Sequence, residues 1–213
     1  MFAVFGGTFD PIHFGHLRVA LDAVEALGLE RLHLVPLNRP VHREGPIASG
    51  TDRMALLRAA IAGEPRFVAD ERELQRPGGS YSVDTLHSLR EDYPHGPLCL
   101  LLGSDAFAGF LSWHKPHEIL ELAHLVVMQR PGYELPPDPQ LREMVDARRV
   151  DGPDRLRRSD AGRILFLAVT QLDISATDIR ERCASGRSPR YLVPDSVWQL
   201  IEKQEIYRGH GSG

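Results

Sequence analysis

Phe2-Ala3-Val4-Phe5-Gly6-Gly7-Thr8-Phe9-Asp10-Pro11-Ile12-His13-Phe14-Gly15-His16 opens with an apolar run that stops at two glycines. A short apolar run ended by a turn former reads as a buried parallel strand. Downstream, Leu17, Ala20, Leu21, Val24 and Leu27 recur at the spacing of one helical face, and Gly28 ends the pattern. The order is strand, glycine-rich turn, helix.

The same alternation runs outward from this stretch. Arg31 to Leu37 reads as a second strand, followed by a loop rich in Pro, Arg, His and Gly from Asn38 to Gly50. Thr51 is placed to cap a helix through about Ala62, with Met54, Leu57, Ala60 and Ile61 inward and Gly63 closing it. Phe67-Val68-Ala69 reads as a strand, and Ser82 as the cap of a helix through about Tyr93. Leu98-Cys99-Leu100-Leu101-Leu102 reads as a fully buried strand ending at Gly103-Ser104-Asp105. A helix over Pro116 to Ala123, strands over Leu125 to Met128 and Ile164 to Val169, and helices over Thr177 to Ala184 and Pro194 to Glu205 complete the series. The stretch from Arg130 to Arg163 holds several prolines and, apart from a helix near Gln140 to Arg148, little periodicity, so it reads as a surface excursion. Residues 209 to 213 read as a frayed tail behind one domain over 1–208. The fold class expected is α/β, a doubly wound parallel sheet with helices on both faces, which binds ligands beyond the carboxyl ends of its strands.

Composition narrows the function classes. A chain of 213 residues with 42% hydrophobic content supports one full core. A net charge of -4 disfavours a nucleic-acid binder and favours small ligands. No apolar stretch is long enough to span a bilayer, and the start lacks the basic and long apolar regions of a signal peptide, so the expected site of action is the cytoplasm, with no membrane partner. Cys99 and Cys183 read as reduced thiols, and the two lysines, Lys115 and Lys203, carry no functional reading. No His-Glu-X-X-His or cysteine cluster suggests a metal held by the chain itself. Oligomeric state is not legible.

The turn after the first strand is where a phosphate site is built. Glycines admit an anion close to the backbone, and the unpaired amides and positive end of a helix face it. His13 and His16, three residues apart, can point the same way, and Thr8 adds a hydroxyl, so Gly6, Gly7, Thr8 and Phe9 with the two histidines form a candidate polyphosphate cradle. Gly-X-Gly-X-X-Gly and Walker patterns are absent, which disfavours a dehydrogenase or a P-loop enzyme. The complete pattern Gly-X-Phe-X-Pro-X-His-X-Gly-His, from Gly7 to His16, resembles the signature of the nucleotidyltransferase superfamily. Ile174-Ser175-Ala176-Thr177-Asp178-Ile179-Arg180 resembles the motif by which that superfamily grips ATP phosphates, although by itself it would serve equally as a helix cap at Ser175 or Thr177 with a solvated arginine. The resemblance implies a Rossmann-like fold, with His13, His16 and Arg180 catalytic through charge stabilisation, Ser175, Thr177 and Arg180 on ATP, and Mg²⁺ arriving on the nucleotide.

The middle of the chain is similar to the bacterial nicotinate mononucleotide adenylyltransferases. His42-Arg43 stands where the family carries Pro-His-Arg, here after Val41, and the resemblance implies that His42 reaches the triphosphate, a solvated basic loop being the alternative. Asp70-Glu71-Arg72-Glu73-Leu74 followed by Ser80-Tyr81-Ser82-Val83-Asp84-Thr85-Leu86 resembles the family segment that receives the pyridine carboxylate, which implies Ser82 and Thr85 as acceptor ligands. A helix start can hold a carboxylate without a cation, and plain capping by Ser82 is the alternative. Asp105, after Gly103, is placed for ribose hydroxyls of ATP or for a helix cap. Trp113 matches the aromatic that stacks on the pyridine ring, core packing being the alternative, with His114 where tyrosine is usual. Gln129-Arg130-Pro131-Gly132-Tyr133 matches a family turn that implies contact of Arg130 with nicotinate mononucleotide, a surface role being the alternative. ATP and nicotinate mononucleotide are the implied partners. Phosphopantetheine adenylyltransferases are usually shorter and lack the Trp113 region, and class I aminoacyl-tRNA synthetases need a lysine-rich loop. A non-catalytic nucleotide-binding regulator would not need the full set of His13, His16, Ser175, Thr177 and Arg180.

Overall fold

Strands whose residues are apolar on both sides must be covered on both faces. Among the described residues seven parallel strands form one sheet: β1 (Phe2–Gly7), β2 (Arg31–Pro36), β3 (Phe67–Ala69), β4 (Leu98–Gly103), β5 (His124–Gln129), β6 (Arg149–Val150) and β7 (Ile164–Ala168), in the order β3-β2-β1-β4-β5-β7-β6. The computed structural model describes residues 1–38, 45–129, 134–135 and 137–208. Along β4, Leu98, Leu100 and Leu102 enter one core while Cys99 and Leu101 enter the other, and β5 divides its residues in the same way.

The first core is closed by α1 (Phe14–Leu27), α2 (Gly50–Ile61), α8 (Pro153–Leu156), α9 (Ala176–Ala184) and α10 (Asp195–Lys203). The second is closed by α4 (Ser82–Asp92), α5 (Ser104–Ala108), α6 (Pro116–Leu122) and α7 (Pro139–Arg148), and the short α3 (Arg72–Gln75) follows β3. From β1 the chain winds outward through β2 to β3, then returns to β4 on the far side of β1 and winds the other way. With right-handed crossovers, that reversal moves the helices from one face to the other. β1 and β4 pair directly, Phe2 against Leu98 and Phe5 against Leu101, so their carboxyl ends flank the switch point where open α/β sheets bind ligands. The doubly wound fold is as the sequence predicts.

Several local readings change. Ser49, not Thr51, caps α2: its Oγ accepts the Asp52 amide at 3.1 Å, and Thr51 already lies inside the first turn. The α4 cap position is Tyr81, which leaves the Ser82 hydroxyl out of capping. The stretch read as a surface excursion packs onto the sheet: α7 buries Leu141 and Val145, β6 pairs with β7, and α8 buries Leu156. Elements of two and four residues are too short to register as a period. Both cysteines are free and buried, and burial pushes the Cys99 thiol up to about 12, which makes it a poor nucleophile. Among the described residues no helix is long and apolar enough to cross a membrane.

Candidate active site

β1 ends at Gly7 and α1 begins at Phe14, with His13 in the cap position. The His13 side chain does not cap the helix; it is 5% exposed and stacks on His16, ring centroids 3.7 Å apart. That stack depends on Gly15, where a Cβ would stand 2.9 Å from the His13 ring. Gly7 answers a similar need, since a Cβ there would stand 2.7 Å from the Phe9 ring. Phe9 holds φ 47, a left-handed conformation that costs an ordinary residue about 1–2 kcal/mol. Burial of its ring, edge-on to His16 at 5.1 Å and to Phe5 at 5.8 Å, keeps it there. Phe9 therefore braces His16 from within the core.

Burial lowers the His13 pKa to about 4, and burial together with the nearby His13 charge lowers His16 well below its ordinary value. Both rings are neutral near pH 7, and the Nδ1 atom of each is buried with no hydrogen-bond partner among the described residues. Such atoms are expensive to leave unpaired, about 1–3 kcal/mol each, and a bound anion is a ligand that imidazole N–H groups can satisfy. His124 is a third neutral ring: its Nδ1 accepts the Arg163 amide at 3.0 Å, so Nε2 carries the proton toward the Ser159 carbonyl at 2.9 Å, and burial lowers its pKa as well. A histidine kept neutral in the native state gains its proton more readily on unfolding, so the stability it supports is complete above about pH 6.5 and lost as pH falls. Each such ring should remove up to about 1.4 kcal/mol per pH unit below that point. The urea midpoint of the ligand-free protein should therefore fall between pH 7 and pH 5, and fall less in His13→Gln. An equal fall in both proteins would show that His13 is not held neutral.

The second phosphate motif lies beside this turn. Ser175 caps α9, accepting the Thr177 and Asp178 amides at 3.2 and 3.4 Å, so the capping alternative holds for Ser175. Arg180 is not a solvated arginine: one guanidinium nitrogen donates to the Asp10 carbonyl at 2.7 Å and the other to the Thr177 hydroxyl at 3.1 Å. The two motifs that stand at opposite ends of the sequence thus meet. Sequence reasoning missed what lies beneath. The Asp10 carboxylate, 4% exposed, accepts the Ile47 and Ala48 amides at 2.7 and 3.1 Å and the Tyr207 hydroxyl at 2.7 Å. Arg53, 1% exposed, donates to the Thr8 and Leu37 carbonyls, both at 2.8 Å. An arginine directly before Met54 on a core-facing helix was the available sign of this arrangement.

Next to the turn, at the ends of β1 and β4, lies a cavity of about 350 Å³. Gly6, Gly7 and Thr8 wall it on one side, Gly103 on another, and Tyr81, Ser82, Trp113 and His114 close it. Trp113 is fixed against Phe110, ring centroids 5.6 Å apart, and His114 lies 4.7 Å from the Tyr81 ring. The Thr85 amide donates to the Tyr81 carbonyl at 3.3 Å, so the amides of residues 82–84 are the ones without an acceptor in the helix ladder. Thr85 itself is 3% exposed with its hydroxyl on Glu73 Oε1 at 2.5 Å, and it does not line the cavity. Asp105 is exposed on the first turn of α5, also outside the lining. His13, His16 and Arg180 stand beyond the cavity, with the Phe5 ring touching both the cavity and, at 6.5 Å, His16. His42, Arg130 and the tail 209–213 lie outside the described residues. Among the described residues no group of three or more His, Cys, Asp or Glu side chains is arranged to hold a metal ion.

Residues 4–182 match the family model described as cytidylyltransferase-like. A relative in Marinobacter nauticus, named "Probable nicotinate-nucleotide adenylyltransferase", is 49% identical over 208 residues, 97% of this chain and 96% of its own. The chain belongs to the nicotinate-nucleotide adenylyltransferase family. A Methylococcus capsulatus relative of the same name is 44% identical, over 97% of this chain and 99% of its own. In structure, the chain is similar to the Plasmodium falciparum nicotinic acid mononucleotide adenylyltransferase complexed with NaAD, with a TM-score of 0.71 over 97% of this chain and 96% of that one. At 16% identity, that likeness shows the fold alone.

Proposed function

We propose that this chain transfers the adenylyl group of ATP to nicotinate mononucleotide, forming nicotinate adenine dinucleotide and releasing pyrophosphate. One arrangement carries the reading: a single turn after β1 is shared between a histidine and arginine cluster on one side and a cavity closed by Trp113 and the start of α4 on the other. ATP lies against the first group, with its phosphates on the Gly6, Gly7 and Thr8 turn, the start of α9 and Arg180, and its ribose toward Gly103 and the exposed Asp105. Mg²⁺ enters as part of the substrate, bound to the ATP phosphates. The acceptor occupies the cavity with its pyridine ring on Trp113 and its carboxylate toward Ser82 and the free amides of residues 82–84.

A phosphate oxygen of the acceptor forms the new bond to the α-phosphorus as the bond to the bridging oxygen of pyrophosphate breaks, in line. No side chain becomes covalently attached, so the protein must align the reactants and stabilise charge. His13 and His16, held neutral by burial, do this as N–H donors, and Arg180 does it as a fixed cation. The cytoplasm, where ATP is abundant, suits this reading. The test is pyrophosphate release with Mg²⁺ and ATP in the presence of nicotinate mononucleotide, nicotinamide mononucleotide or phosphopantetheine. Release with the first, accompanied by nicotinate adenine dinucleotide, and a specificity constant at least ten times lower with the second, is the expected result. Equal use of the amide removes the carboxylate assignment, and release only with phosphopantetheine removes the acceptor.

A further inference from the structure

We infer that Glu73 is a positioning residue for the acceptor half of the site, setting the first turn of α4 from beneath so that its free amides are presented to the acceptor carboxylate. The inference rests on the acceptor assignment above and adds a residue that touches neither substrate. Glu73 is 3% exposed, yet it sits on a four-residue helix where an apolar side chain would pack with no desolvation penalty. Its Oε1 accepts the Thr85 hydroxyl at 2.5 Å, and the same Thr85 oxygen lies 3.3 Å from an Arg76 guanidinium nitrogen. Its Oε2 is buried with no hydrogen-bond partner among the described residues. Burial pushes the Glu73 pKa up, and the Ser80 and Thr85 hydroxyls and the Arg76 charge oppose that rise.

These contacts join three segments that wall the cavity. Ser80 Oγ accepts the Asn38 amide at 2.9 Å, and the Asn38 side-chain amide donates to the Arg76 carbonyl at 3.1 Å, so the end of β2, the 76–80 turn and α4 are bound together around Glu73. Ser80, Tyr81 and Ser82 are cavity-lining residues, whereas Thr85 and Glu73 lie behind them. Removing the carboxyl leaves the Thr85 hydroxyl only the long contact to the Tyr81 carbonyl at 3.5 Å, within its own helix, and frees the helix start to rotate or fray. The ATP half, built on β1, α1 and α9, shares none of these bonds.

The predicted consequence is a split between the two substrates. In Glu73→Ala, KM for nicotinate mononucleotide should rise at least tenfold while KM for ATP stays within twofold. Glu73→Gln, which keeps a carbonyl oxygen for Thr85, should recover to within about threefold of the parent. Trp113→Ala serves as the control on the acceptor assignment and should raise the acceptor KM in its own right. Circular dichroism and thermal melting check that each variant is folded. An unchanged acceptor KM in folded Glu73→Ala, or equal rises for both substrates, overturns the role of Glu73 while a Trp113→Ala effect leaves the acceptor site standing. If Trp113→Ala also leaves the acceptor KM unchanged, the acceptor assignment itself fails. Should Glu73→Ala not fold, Glu73→Leu, which fills the buried site without offering Thr85 an acceptor, decides: a rise in the acceptor KM relative to the ATP KM supports positioning, and a constant ratio overturns it.

Discussion

His16→Ala should lower kcat by about 10²–10³-fold, about 3–4 kcal/mol of transition-state stabilisation, with a much smaller effect on the KM for ATP. The size follows from what the ring can do in a dry turn. It is neutral, its Nδ1 has no partner among the described residues, and it is locked by the His13 stack on one side and the Phe9 edge on the other. A donor that needs no reorganisation when charge shifts onto the leaving pyrophosphate is worth more in the transition state than in the ground state. Loss of the ring also removes its contact with Phe9, so a modest fall in melting temperature is expected. The decisive measurement is kcat at saturating substrates on folded protein. Turnover near the parental rate would show that His16 packs the turn and does not assist transfer, and would leave His13 and Arg180 to stabilise the charge.

Much of the fold was legible because its strands are uninterrupted apolar runs and α1 carries a clear stripe. What stayed hidden were pieces too short to show a period, such as α3, α5 and β6, and the choice between two neighbouring cap formers at Ser49 and Thr51. The site divides along the same line. His13, His16, Thr8 and the Ser175 to Arg180 stretch were legible because contiguous residues fold into one turn. Trp113 and Ser82 were found through resemblance and Gly103 as the end of a buried strand, and the structure gathers them around one cavity. Thr85 matched the motif, but its position on the helix points its hydroxyl to Glu73, a partner that sequence spacing alone does not disclose. Asp10, Arg53 and Tyr207 meet only because α10 returns the chain end to β1, and no local pattern records such a meeting.

That meeting carries the second large effect. Asp10→Ala should destabilise the protein by about 3–5 kcal/mol, because it removes a buried charge opposite Arg53 and strips the acceptor from three donors at once. The Tyr207 hydroxyl is a reliable donor in this network, since burial and the adjacent Asp10 charge push its pKa up and keep the proton on. Tyr207→Phe removes one bond and leaves Asp10 with the two amides, so about 1–2 kcal/mol is expected. The two changes should not add. Once Asp10 is gone the phenol has lost its acceptor, and its removal should then cost less than about 0.5 kcal/mol, a coupling that a double-mutant cycle in urea reads directly. Additive effects would mean that the Tyr207 hydroxyl contributes by a route other than its bond to Asp10. Arg180 binds the Asp10 carbonyl and not its carboxylate, so that contact survives the substitution. Any loss of activity in Asp10→Ala should therefore track the unfolded fraction and be recovered at temperatures where the variant is folded, whereas Arg180→Ala should lose activity while keeping its fold.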